Sequence, residues 1–256
     1  MKTSEVALFV EGDEHSHGES FLAAEGQGLL SGKYRPPVRA REKLPAVRDW
    51  VKWHHAYDEP GSSLARRLGV VRQRIDEALT MVGCDSSRVL SLCSGDGRDL
   101  IPVLARLPSD RTPLAILVEK TEGLAEAAKA RALSAGLSRV SIVLGDAGDP
   151  AVFIDHLPVD MLLLCGIFGN ISTEDIKTTI ASVPSLLAPG GFVIWTRGNQ
   201  EPDLRERIRQ WFVAAGLDEV SFDGHPEPFG VGVSRRIELR PAVEATLRPR
   251  LFTFVR

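Results

Sequence analysis

The chain has 256 residues, 43% hydrophobic and 25% charged, enough to bury one sizeable core with an appended cap. Its net charge of -3 gives no overall pull toward nucleic acid. No apolar run approaches the roughly 20 residues that a membrane helix needs.

Residues 1–40 lack a sustained period and carry Gly, Ser, Glu and "YRPP", which reads as a mobile tail. Its His15 and His17, beside Asp13 and Glu14, are more simply solvated than metal ligands. The N-terminal "MKTSEVALFVEGDEHSH" makes a poor signal peptide. Cys84, Cys93 and Cys165 form no CxxC pair and cannot all be bridged within the chain. A reduced, cytoplasmic setting is expected, with no membrane partner.

Residues 41–83 read as a helical cap, two helices broken at Pro60-Gly61. In the first, Trp53, His54 and Tyr57 share one face, and Asp58 follows His54 by one turn. In the second, Leu64, Leu68, Val71, Ile75, Leu79 and Val82 recur at helical spacing, with Ser62 or Ser63 as N-cap. Arg66 and Arg67 read as solvated helix charges, although Arg67 flanks the apolar stripe and is placed to meet a ligand's carboxylate.

Residues 84–256 alternate strands with helices. "RVLSLC" is a strand and "RDLIPVLARL" a helix. "LAILVE" precedes the Ala-rich helix "GLAEAAKARALSAG". "VSIVLGD" and "VDMLLLCG" are the third and fourth strands. "TEDIKTTIASVPSLL" is a helix, broken by "APGG" before "FVIWTR". The helix "DLRERIRQWFVAAG" leads to "EVSFDG", and the terminal "RLFTFVR" is expected as the last, antiparallel strand. Apolar strands alternating with helices predict an α/β Rossmann-like fold: a mostly parallel seven-stranded sheet with helices on both faces.

The turn after the first strand, "CSGDGRDL", is where such sheets bind ligands. A dinucleotide turn needs G-x-G-x-x-G; after Gly95 and Gly97 the third position is Leu100. No G-K-[ST] follows, so a Walker loop is excluded. Small residues at 93, 95 and 97 suit a wider turn, and at this point the chain resembles the class I S-adenosylmethionine (SAM)-dependent methyltransferases. The resemblance covers residues 88–256. Besides the turn it rests on Glu119 ending the second strand, "GDA" with Asp146 and Ala147 after the third, "CGIFGN" after the fourth, and "LLAPGGFVIWTR". "WTRGNQEPDLR", "FGVGVSR" and "RLFTFV" look, with these, like a group of bacterial methyltransferases of mostly unassigned substrate.

The resemblance implies SAM as cofactor, S-adenosylhomocysteine as product, and no metal. It places Glu119 on the ribose hydroxyls, an acceptor-only carboxylate for a vicinal diol. Asp146 and the Ala147 N–H meet adenine. The remaining cofactor contacts fall to Cys93, Ser94, Gly95, Gly97 and Asp99 of the turn, to Lys120, to Cys165 and Gly166, and to Arg67. Where Ser91 stands the family usually has an acid, so Asp96, Asp99 or backbone carbonyls are left to face the ligand's ammonium group. Where Cys93 stands the family has Gly.

Phe168, Asn170, Trp195 and Arg197 at the strand ends, with Trp53 and Tyr57 of the cap, are the expected substrate-binding residues. His54 is the candidate base, oriented by Asp58. The expected function is methyl transfer to a small-molecule N, O or C nucleophile by in-line displacement. Two alternatives remain open. RNA methylation has only the basic run "KYRPPVRAREK" in its favour, and "CGIF" stands where nucleic-acid amino methyltransferases carry N-P-P-Y. A non-catalytic SAM-binding regulator is the other. A small-molecule acceptor is the expected partner and nucleic acid is not; the oligomeric state, a homodimer included, is open.

Overall fold

A computed structural model of the protein describes residues 57–83, 86–237 and 247–255. Among them, seven strands form one sheet in the order β3-β2-β1-β4-β5-β7-β6. The strands are β1 (Arg88–Leu92), β2 (Leu114–Glu119), β3 (Val140–Leu144), β4 (Val159–Leu164), β5 (Leu187–Gly198), β6 (Leu217–Asp223) and β7 (Phe229–Arg236). The helices are α1 (Ser63–Val82), α2 (Ile101–Leu104), α3 (Glu122–Ser134), α4 (Thr173–Leu186) and α5 (Arg205–Ala214). β1 to β5 are parallel, and β7 runs antiparallel between β5 and β6. None of the helices is long and apolar enough to cross a membrane.

Successive side chains leave a strand on opposite faces, so a continuously apolar strand feeds two cores. In β1, Val89 packs on one side with α1, α2 and α3, and Leu90 on the other with α4 and α5. β4 does the same, with Met161 and Leu163 on the first face and Leu162 and Leu164 on the second. α1 begins at Ser62, whose Oγ accepts the Ala65 N–H at 3.0 Å. Its Val71, Ile75 and Leu79 are buried in the first core, each worth about 1.5–3 kcal/mol on hydrophobic transfer. Half of the segment read as a cap therefore packs on the sheet; the other half, with Trp53 and His54, lies outside the described residues, as do the tail and its His15 and His17.

Three local expectations are corrected. The antiparallel strand is "FGVGVSRR", not the terminal "RLFTFVR", which makes a single bridge from Phe254 to Ile171. Gly232 takes part in β7 because a Cβ there would lie 2.2 Å from the Trp195 ring on β5. The helix after the glycine turn shortens to Ile101–Leu104, with Pro102 in its first turn. The "APGG" break becomes a bulge inside β5: Leu187 pairs with Val159, and the ladder resumes at Phe192 opposite Met161.

Candidate cofactor and active site

The chain runs β1, β2, β3 toward one edge and then crosses to β4, so the strand order reverses beside β1. A cavity of about 560 Å³ opens at the carboxyl ends of these strands. Its walls come from the β1 turn, the ends of β2 to β4, the start of α1 and the residues Arg250 and Phe252 to Val255. All twelve residues expected to contact the cofactor line it except Gly97.

Gly97 lies behind the turn at φ +68°, where a Cβ would meet Ile101 Cδ1 at 2.4 Å. Cys93 is the chain's departure from a glycine pattern: its φ is +53°, a left-handed conformation costing a non-glycine residue about 1–2 kcal/mol. The turn is fastened by its own amides. Ser94 N–H donates to the Val118 carbonyl at 3.0 Å, and the buried Ser94 Oγ at the cavity wall has no hydrogen-bond partner among the described residues. Gly95 N–H donates to Glu119 Oε2 at 2.8 Å, and Thr121 N–H to Glu119 Oε1 at 2.8 Å. The buried Glu119 carboxylate thus ties the first turn to the second. Two lone-pair sites remain on it for a ligand.

At the end of β3, burial pushes the Asp146 carboxyl up, but hydrogen bonds from Arg250, the Gly148 N–H and Lys120 outweigh it and hold it at about 2. Arg250 Nη2 and Lys120 Nζ reach Asp146 Oδ2 at 2.8 and 3.1 Å, and Gly148 N–H reaches Oδ1 at 3.0 Å. The terminal segment is strapped across this end. Leu251 N–H donates to the Gly148 carbonyl at 2.8 Å, Thr253 N–H to Asp175 Oδ2 at 3.2 Å, and Val255 N–H to the Asn170 carbonyl at 2.8 Å. Phe252, Thr253, Phe254 and Val255 line the cavity. Reading "RLFTFVR" as a strand hid this wall; Arg98, Leu68, Val71, Thr121 and Leu124 were also missed.

At the opposite end, Arg67 Nη2 donates to the Tyr57 hydroxyl at 2.6 Å, and the Arg98 guanidinium sits 4.9 Å from the centre of the Tyr57 ring. Burial raises the Tyr57 pKa against the influence of Arg67, so the phenol stays protonated near neutral pH. Burial likewise raises the Cys93 and Cys165 thiols, which remain uncharged.

Of the expected substrate-binding residues, Tyr57 lines the cavity and four others do not. Trp195 is 1% exposed and stacks on Phe212 and Phe222 at 5.7 and 5.8 Å, because its position in β5 points it into the α4–α5 core. Phe168 packs beside it at 6.2 Å. Arg197 continues that face and donates to Gln200 Oε1 and to the Pro202 carbonyl. Asn170 Nδ2 donates to the Gly166 carbonyl at 2.6 Å, closing the β4 turn and presenting its own carbonyl to the strap. Asp58 is exposed and pairs with Arg98 at 3.2 Å, a permanent cation; His54, which it is expected to orient, lies outside the described residues. Trp53 lies outside the described residues. No cluster of His, Cys, Asp and Glu among the described residues has the arrangement of a metal site.

No family model matches the chain, and no curated protein sequence does. Solved structures do. A carbon methyltransferase, CurJ, superposes with a TM-score of 0.58 at 15% identity, over 74% of this chain and 58% of its own. An O-methyltransferase family 2 protein from Planctomyces limnophilus DSM 3776, in complex with apigenin, gives 0.53 at 20%, over 68% and 60%. Magnesium protoporphyrin IX methyltransferase (ChlM) from Synechocystis PCC 6803, with bound SAM, gives 0.55 at 13%, over 73% and 90%. The chain thus spans less than two thirds of the first two structures. At such identities the likeness carries the fold, and with the sheet order it gives one answer: this is the class I SAM-dependent methyltransferase fold.

Proposed function

We propose that the protein is a methyltransferase that binds SAM in this cavity and transfers its methyl group to a small-molecule acceptor. The observation that carries the reading is Glu119: a buried carboxylate held between the Gly95 and Thr121 amides at the ligand-binding edge, with lone pairs left for a diol. Asp146 and Ala147 at the end of β3 would meet adenine, and the Cys93–Gly97 turn with Arg67 would meet the methionine portion. The Ser94 Oγ, without a hydrogen-bond partner among the described residues, supplies one more hydroxyl for a polar ligand. SAM supplies an already activated methyl group. The chain's own task is then to orient the acceptor and exclude water, which the strap and the apolar wall of Leu68, Val71 and Leu124 are placed to do. A small acceptor suits a cavity of about 560 Å³, and one structural neighbour holds apigenin.

Calorimetric titration with SAM and with S-adenosylhomocysteine tests the reading, and both are expected to bind at one site. Incubation with methyl-labelled SAM and fractionated cell extract is expected to label a small molecule. Absence of binding by either nucleotide would end the proposal.

NADH is expected not to bind. Leu100 is fully buried in the core at the third turn position, where a dinucleotide fold needs Gly for close packing of the helix on the strand. A saturable change in NADH fluorescence on titration would contradict this.

Cys93 and Cys165 both line the cavity, so saturating S-adenosylhomocysteine is expected to slow their alkylation, read by peptide mass spectrometry. Equal rates with and without the nucleotide would place the ligand elsewhere.

A further inference from the structure

We propose that the outer edge of β3 is the docking surface for a second copy of this chain, joined by antiparallel pairing of β3 with its own image across a two-fold axis at Ile142. The inference is independent of the ligand in the cavity.

A sheet edge presents a row of main-chain N–H and C=O groups that another strand can bond, and proteins guard it with charges, bulges or proline. The two edges of this sheet differ. β6 carries Asp218 and Glu219, the latter paired with Arg209 at 2.6 Å, and a bulge between Glu219 and Ser221 interrupts its ladder. β3 reads Val140, Ser141, Ile142, Val143, Leu144; it has no charge and no proline, and it pairs with β2 without a bulge. Among the described residues no strand lies on its other side. Leu144 is 56% exposed on this edge. Leu133 on α3, which packs over β3, is also exposed, as is Ile154, two residues beyond the Val152 that packs against Gly145.

The hydrogen-bond pattern selects the occupant. The Arg139 carbonyl accepts the Ala115 N–H and the Gly145 N–H donates to the Glu119 carbonyl, both at 2.9 Å, so the odd-numbered residues of β3 bond to β2. Alternation turns the N–H and C=O of Val140, Ile142 and Leu144 outward. A two-fold at Ile142 sets Ile142 opposite itself and Val140 opposite Leu144, which joins all of these groups in roughly six new bonds. Their side chains leave on the α3 face, where Val140 and Ile142 already pack, so apolar groups meet apolar groups across the seam. Arg139 stands at the amino end of β3, and Asp146, Asp149 and Asp155 follow its carboxyl end, so antiparallel pairing lays a basic end against an acidic one. A head-to-tail contact of β3 with β6 would propagate without closing, and the β6 bulge and acids oppose it. The two-fold pair closes.

Sedimentation and hydrogen exchange on the full chain test this. Concentrated wild type is expected to sediment with twice the 27.9 kDa mass of one chain and to dissociate on dilution. Exchange of the Val140, Ile142 and Leu144 amides, read by NMR, is expected to be about tenfold or more slower in the concentrated sample, with Ser141 and Val143 changing little. Leu144→Pro removes an outward N–H that no bond to β2 uses, and it is expected to raise the dissociation constant about tenfold or more. Diamide oxidation of Ile142→Cys is expected to give a covalent dimer, and that of Val140→Cys is not, because only the residue on the axis meets its own copy. A chain that is monomeric at every concentration overturns the proposal, and protection of the three amides in that monomer would assign the edge to another segment of the chain. A dimer whose three amides exchange as fast as in the monomer overturns it too, and this measurement on wild type decides even if no variant folds. So does Leu144→Pro that associates as wild type does.

Discussion

Glu119→Ala is expected to weaken SAM and S-adenosylhomocysteine by about 1–3 kcal/mol, roughly 5- to 150-fold, and also to destabilise the protein without ligand. The two effects have separate causes. Loss of affinity follows from a diol left without its acceptor. Loss of stability follows from the Gly95 and Thr121 amides, whose acceptor is the same carboxylate. Each amide left unpaired in a buried turn costs about 1–3 kcal/mol, and water entering the enlarged cavity recovers part of that. Glu119→Gln separates the contributions. It keeps an oxygen for one amide but turns an NH₂ toward the other or toward the ribose, so affinity is expected to fall with a smaller drop in melting temperature. Calorimetry and thermal unfolding on both variants give the comparison. Unchanged affinity for Glu119→Ala, at any stability, would remove this residue from the ligand.

Glu119 also shows what the sequence makes legible. Strand ends are easy to find because "LAILVE" stops being apolar at the residue that must face a ligand, and the observed β2 ends there too. Periodicity likewise gave α1, whose stripe of Val71, Ile75 and Leu79 is the buried one. Periodicity does not reveal which way a side chain near a strand end points. Trp195 and Phe168 stand at the correct height along the sheet but face the α4–α5 core, and for Trp195 the register of β5 against β4 and β7 decides that. "FGVGVSRR" is glycine-rich for a strand, and the fitness of its Gly232 depends on Trp195, far earlier in the chain. The C-terminal strap is hidden from local sequence pattern for a similar reason. Its main-chain partners are Gly148, Asn170 and the Asp175 side chain, none of which a local pattern can supply.

That strap supports the other large expected effect. Gly148→Ala is expected to destabilise the protein by about 1–3 kcal/mol and to lower affinity for S-adenosylhomocysteine about tenfold or more. The backbone at Gly148 is open to other residues, so conformational strain is not the cause; space is. A Cβ there would lie 2.2 Å from the Phe252 carbonyl oxygen, a main-chain atom that no side-chain rotation can move. Either the loop after β3 or the strap must shift. The loop is held by Asp146, whose oxygens bind the Gly148 amide, Lys120 and Arg250, so the strap is the part expected to yield. Its displacement strains the Leu251 N–H bond to the Gly148 carbonyl and the Thr179 hydroxyl bond to the Leu251 carbonyl, and it partly exposes Leu251 and Phe252, now 0% and 2% exposed. The same movement opens the wall that Phe252 to Val255 give the cavity beside Asp146 and Ala147, where the adenine end of a SAM-like ligand would lie. Methylthioadenosine, which keeps the nucleoside and lacks the amino acid, is therefore expected to weaken as much as S-adenosylhomocysteine, because the damage is at the nucleoside end. A Gly148→Ala protein that melts earlier yet binds both ligands at full strength would leave the strap a structural brace with no part in the site.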